Sequence, residues 1–122
     1  MKKRLTSEEL RIIQDKGTEP PFSGEYVDFD QKGIYRCKQC GEKLFDSAAK
    51  FHSQTGWPSF DEALPEAIRE IPDPDGARTE VVCARCNAHL GHKFTGENFT
   101  SKNVRFCVNS LSLQFKSKGD QQ

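Results

Sequence analysis

The sequence has one methionine, one tryptophan, no excess of either charge and no uninterrupted apolar run of membrane-spanning length. The last absence speaks against a helix that crosses a bilayer, which needs about 20 apolar residues. The opening "MKKRLTSEELRIIQDKG" starts basic, but acidic and polar residues follow it, so it does not read as a secretory leader. The expectation is a soluble chain in a reducing compartment, the cytosol. Lysine plus arginine number 18, and so do aspartate plus glutamate. A phosphate-binding surface usually carries a basic excess, so nucleic acid is not an expected partner, and neither is a membrane. The 122 residues, 34% of them apolar, support one domain with a modest core, spanning 1–122 and folded over about 5–117. There is no low-complexity tract, and no repeat beyond a doubled Cys-x-x-Cys.

Local signals divide the chain into one short helix followed by strands. Thr6 can cap the helix, Glu9 stands three residues on as in a capping box, and Leu10, Ile12 and Ile13 supply an apolar stripe, with Gly17 as the stop. Strands are expected at 33–36, 43–45, 79–83 and 92–94, with a longer one at 104–115. The stretch "EALPEAIREIPDPDGAR" holds three prolines and an Asp-Gly pair, which predicts a surface loop with at most one helical turn. The closing "SKGDQQ" reads as a frayed tail.

Five cysteines, an odd number, make a poor disulfide framework, and four of them have metal-ligand spacing. Cys37 and Cys40 form one Cys-x-x-Cys, and Cys83 and Cys86 another. Two intervening residues let a tight turn aim both sulfurs at one cation. Gly41 and Asn87, which tolerate left-handed backbone angles, follow the second cysteine of each pair. Four sulfurs fit a closed tetrahedral zinc site that clamps distant loops. Iron is the alternative metal, and redox-active dithiols are the non-metal reading.

Cys107 is then left over, in "VRFCVNS". Strand alternation puts Val104, Phe106 and Val108 on one face and Arg105, Cys107 and Asn109 on the other. Leu111, Leu113 and Phe115 continue the apolar set out of phase, so a bulge or break is expected near Asn109 and Ser110. A thiol on a polar face with a guanidinium two residues away is placed for reactivity, because a neighbouring cation favours the nucleophilic thiolate. An inert buried thiol is the competing reading. His89 and His92 follow the second cysteine pair, with Phe94 close behind; they are spare ligands, surface histidines or part of a site. Trp57, held between a glycine and a proline, is a candidate apolar wall for a ligand, although a lone tryptophan is more often core.

The segments "LTSEELRIIQDKGTEPPFSGEY", "GIYRCKQCGEKLF", "KFHSQTGWPSF", "AHLGHKF" and "RFCVNSLSLQF" together resemble the B-type methionine sulfoxide reductases, in order and over almost the whole chain. The resemblance implies a mainly β fold, tent-like, of two antiparallel sheets with short peripheral helices. It also implies one structural zinc held by the four paired cysteines, set at the end away from the active site, and reduction of methionine-R-sulfoxide in peptides and proteins; the chain is expected to be a monomer. Cys107 matches the nucleophile and Arg105 the arginine that favours its thiolate. His89 and His92 match the histidines that bind and help protonate the sulfoxide oxygen. Trp57 and Phe94 match the wall that takes the methyl group, and Asn109 the polar residue that holds the site together around the substrate. Thioredoxin, glutathione or glutaredoxin would return the resulting sulfenic acid to the thiol.

Two positions depart from the family pattern. Many members place a resolving cysteine just before "GWPSF", where this chain has Thr55, which implies a one-cysteine cycle with an external thiol. An aspartate commonly follows the "HxF" motif, where this chain reads "TGENF" and offers Glu97 instead. Two other classes compete with the enzyme: a binding module that uses the Trp57 pocket without turnover, and a zinc ribbon on nucleic acid. A binding module has no need of Cys107 between Arg105 and Asn109. The gap between the two cysteine pairs exceeds the usual ribbon spacing.

Overall fold

The computed structural model describes residues 5–72, 74 and 78–117. Among these residues there is one α-helix, α1, which spans Ser7–Ile13. The capping box forms: the Thr6 hydroxyl accepts from the Glu9 amide at 3.2 Å, and the Glu9 carboxylate accepts from the Thr6 amide at 2.9 Å. The helix ends well before Gly17, and of the expected stripe only Ile12 and Ile13 are buried, Leu10 being exposed. Less than two turns long, it has one narrow face to bury, which packs on β7 and on the 3-10 turn that precedes the last strand.

Among the described residues nine strands follow: β1 Gly33–Cys37, β2 Lys43–Asp46, β3 Lys50–Phe51, β4 Ser59–Phe60, β5 Ile68–Pro72, β6 Thr79–Cys83, β7 His89–Thr95, β8 Val104–Val108 and β9 Leu113–Ser117. They form two antiparallel sheets, one ordered β2-β1-β9 and the other β3-β4-β8-β7-β6-β5. Aromatic rings fill the space between them. Phe45 of the small sheet stacks on Phe60 of the large one with centroids 4.3 Å apart, and Tyr35 meets Phe60 edge-on at 5.1 Å.

The strand expected at 104–115 is two strands in different sheets. The break comes where the apolar phase shifts, as a 3-10 turn over Ser110–Ser112. β7 begins at His89, three residues before its expected start. Proline-rich 62–78 contains no helix among its described residues; it holds strand β5 at the edge of the large sheet. Four of the five β5 residues are exposed, so no period-two pattern marks it, and Pro72 is tolerated because an edge strand leaves one side of its backbone unpaired. β3 and β4 have two residues each, too few to show periodicity. The expected frayed tail lies mostly at 118–122, outside the described residues.

Candidate active site and metal centre

Each Cys-x-x-Cys sits on a tight turn that continues a strand. Gly41 and Asn87 take φ of +84° and +66°, and their amides return to the Cys37 and Cys83 carbonyls at 2.8 and 2.9 Å. Cys37 ends β1 of the small sheet and Cys83 ends β6 of the large one, so the four sulfurs join the two sheets. All four lie within 4.8 Å of one another, and the Cys37–Cys86 and Cys40–Cys83 pairs are 3.6 Å apart. A tetrahedron with metal–sulfur bonds of about 2.3 Å has edges of about 3.8 Å, so the donor set fits a closed site for a metal ion. The crowded thiols are displaced in opposite senses: a shared hydrogen bond raises Cys37 and brings Cys83 down to about 5.

The second cluster lies on the face of the large sheet that carries Cys107. Ser59 pairs with Cys107 across β4 and β8, His92 pairs with Cys107 across β7 and β8, and Glu80 pairs with His92 across β6 and β7. Directly paired residues point to the same side of a sheet, so these four side chains share one face. His89 would point the other way in a regular strand, being three residues from His92. The register shifts between Val81 and Val82, however, with Gly91 opposite Val81 and His89 opposite Val82. Leu90 is the extra residue, and the bulge turns His89 onto the Cys107 face. The two imidazoles come to 5.6 Å, and His89 Nδ1 lies 2.8 Å from Glu80 Oε2. Glu80 Oε1 is in turn paired with Lys16 at 3.0 Å. Burial disfavours the Glu80 charge, but His89 and Lys16 outweigh it and hold the carboxyl below its ordinary range. His89 is 2% exposed, and its Nε2 is buried without a partner.

A cavity of about 130 Å³ opens over Cys107, walled by Trp57 and Phe94 and lined also by His92 and Asn109. The sequence reading missed Thr18 and Arg78, which complete its rim. Trp57 is fixed by its indole N–H, which donates to the Glu19 carbonyl at 2.9 Å. Glu19 was missed as well. Nothing in "GTEPPF" signals burial, yet its side chain is fully buried and accepts from the Ser110 and Leu111 amides at 2.8 and 3.2 Å. Burial raises its carboxyl against those two bonds. Asn109 closes the same knot: its Oδ1 accepts from the Glu19 amide at 3.1 Å and its Nδ2 donates to the Leu90 carbonyl at 3.2 Å. Both ends of the amide are thus engaged by the protein itself.

Arg105 does not line the cavity. It is buried behind Phe94, with its guanidinium 4.6 Å from the ring centroid. Its Nε and Nη2 reach the two Glu97 oxygens at 2.8 and 3.3 Å. The polar face of β8 is therefore covered rather than open to solvent, and Cys107 itself is half-buried. This alters the expected electrostatics. Burial pushes the Cys107 thiol above its ordinary value; Arg105 pulls the other way without prevailing, and Glu97 and Glu19 add small upward contributions. Burial and the neighbouring cation thus act on this thiol in opposite senses. Once ionised, this thiol, in an apolar-walled cavity lined by the His92 imidazole, can attack a small electrophile whose leaving atom takes up a proton.

Residues 5–117 match the SelR domain model. Over 112 residues, 91% of the chain, the sequence is 51% identical to peptide methionine sulfoxide reductase B3 of Arabidopsis thaliana and 52% identical to peptide methionine sulfoxide reductase B5 of Oryza sativa subsp. japonica. The aligned part covers 64% of the first relative and 82% of the second. Among solved structures, the Mis18 "Yippee-like" domain is similar in fold, with a TM-score of 0.52 at 21% identity over 71% of this chain and 97% of that one. With the matched segment containing both the cysteine cluster and the Cys107 face, the chain belongs to the SelR-domain family of B-type peptide methionine sulfoxide reductases.

Proposed function

We propose that this chain reduces methionine-R-sulfoxide in peptides and proteins, with Cys107 as the nucleophile. The observation that carries the reading is the small cavity in which Cys107 meets the walls of Trp57 and Phe94 and the imidazole of His92. The methyl group of the substrate lies against the two aromatic rings, and the sulfoxide oxygen faces the histidines. The buried, partnerless Nε2 of His89 supports its assignment to that oxygen, since such an atom is costly unless a ligand completes it. Glu80 steadies the imidazole by holding its Nδ1 edge.

The Cys107 sulfur attacks the sulfoxide sulfur. The S–O bond breaks as oxygen passes to Cys107, the thiol's proton reaches that oxygen by way of the histidines, which end as they began, and the products are methionine and a Cys107 sulfenic acid. Arg105 favours the attacking thiolate. With four of the five cysteines assigned to the metal site in this reading, the cycle runs without an internal disulfide. An external thiol, from thioredoxin, glutathione or glutaredoxin, then attacks Cys107; water leaves, and a second thiol releases the mixed disulfide. Cys37, Cys40, Cys83 and Cys86 hold one zinc ion, which clamps the two sheets and takes no part in the reaction. One equivalent of sulfoxide without reductant should leave Cys107 as a sulfenic acid that dimedone traps. An internal disulfide to Cys107 would overturn the one-cysteine cycle.

A further inference from the structure

Thr55 stands where the family resemblance puts a resolving cysteine, and here it carries a hydroxyl that is fully engaged. Arg105 Nη1 donates to Thr55 Oγ1 at 3.3 Å. Thr55 Oγ1 lies 2.8 Å from Ser53 Oγ, Ser53 Oγ lies 2.7 Å from Ser59 Oγ, and Ser59 Oγ donates to the Trp57 carbonyl at 3.2 Å. Each hydroxyl has one proton, so the chain has a single consistent direction: guanidinium to Thr55, Thr55 to Ser53, Ser53 to Ser59, Ser59 to the Trp57 carbonyl. Ser53 and Ser59 are buried, and Ser59 is the cross-strand neighbour of Cys107. The chain thus joins the cation beside the nucleophile to the loop that carries the aromatic wall.

We propose that Thr55 is a positioning residue for the reaction, one that holds the Arg105 guanidinium in place beside Cys107 without cancelling its charge. The argument turns on the difference between the two anchors of Arg105. Glu97 grips Nε and Nη2 with a full negative charge, and so weakens the field that the guanidinium exerts on Cys107. The Thr55 hydroxyl takes the remaining nitrogen as a neutral acceptor. It restrains rotation about the Glu97 fork and leaves the positive charge intact. A thiol in its place would accept this hydrogen bond poorly. The charged or titratable groups around Cys107 are Arg105 on its own strand, His92 on β7, Glu97 after β7, Glu19 before the first sheet and Arg78 on the cavity rim. Among them Arg105 is the cation that lowers the thiol, so loosening it raises the pH at which Cys107 ionises.

The inference rests on Cys107 being the nucleophile, and its test reads the thiolate without turnover. The rate of Cys107 alkylation by iodoacetamide is followed against pH in the metal-loaded protein, with the modified peptides resolved by mass spectrometry. Parent, Thr55→Val, Thr55→Ala and Thr55→Ser are compared. The valine and alanine variants should move the midpoint up by roughly 0.5–1 unit, an approximately 3- to 10-fold loss of thiolate at neutral pH, and serine should restore the parent value. Two variants without the hydroxyl guard against one that fails to fold. A purely structural role would lower the melting temperature and leave the midpoint unmoved. The proposal is overturned if valine and alanine keep the parent midpoint, or if serine shifts it as they do. Absence of reductase activity in the parent would instead sink the functional reading, and the alkylation result would still stand.

Discussion

At the residue scale the centre of the account is a contest over one thiol. Burial raises Cys107 and Arg105 lowers it, and burial prevails. Alkylation of Cys107 in the resting protein should therefore rise with pH through a midpoint above that of an ordinary free cysteine. A midpoint below the ordinary value would show that the guanidinium prevails. Glu80 has the opposite displacement, being held below its ordinary range by His89 and Lys16. A carboxyl lowered in the folded state lends stability above its unfolded pKa and loses it as the pH falls through the folded one. Glu80→Gln should remove that part of the acid-side loss of stability. It should also lower kcat by about 10- to 100-fold with little change in KM, because the imidazole loses the partner that orients it. An unchanged kcat would separate Glu80 from the chemistry. Glu80 was partly legible in the sequence, as a charged residue in a strand that continues with Val81, Val82 and Cys83. Glu19 was not, because the donors that make its burial tolerable come from residues about 90 positions away.

At the element scale the decisive feature is the bulge at Leu90, which brings His89 and His92 to one face. Gly91, beside it, lets β8 approach: a Cβ there would overlap the Cys107 carbonyl oxygen. Gly91→Ala should destabilise the fold by about 2–4 kcal/mol and reduce activity by more than the loss of folded protein explains. Denaturant unfolding together with activity per folded molecule checks both parts, and a variant with parent stability would contradict the close packing. Alternation placed Arg105, Cys107 and Asn109 on one side of a strand; Arg105 and Cys107 alternate so within β8, while Asn109 comes after the strand has ended, at the start of the 3-10 turn. What covers that side was hidden from it, since the roof comes from the loops around Glu19, Thr55 and Glu97, which have no period to read. β5 escaped for a similar reason: its exposed edge position removes the apolar alternation by which strands are recognised.

At the scale of the whole molecule, two sheets are joined by an aromatic layer and by four sulfurs. The cysteine spacing was the most legible feature of the sequence, because a tight turn closes within four residues and needs no knowledge of the rest of the chain. That the turns belong to different sheets could be seen only in the fold. Cys37→Ser should release the metal and cost about 3 kcal/mol or more, a large part of the stability of a domain this size, while Cys107→Ser leaves metal content and melting temperature unchanged. Metal analysis alongside thermal melts would check this, and full stability in the Cys37 variant would contradict a structural role for the cluster.

The central claim is tested most directly by turnover of separated R and S methionine sulfoxide peptides with dithiothreitol as reductant, in the parent protein and in Cys107→Ser. The account requires activity on the R epimer alone and its loss in the variant. Turnover of the S epimer, or activity that survives without the Cys107 thiol, would contradict it.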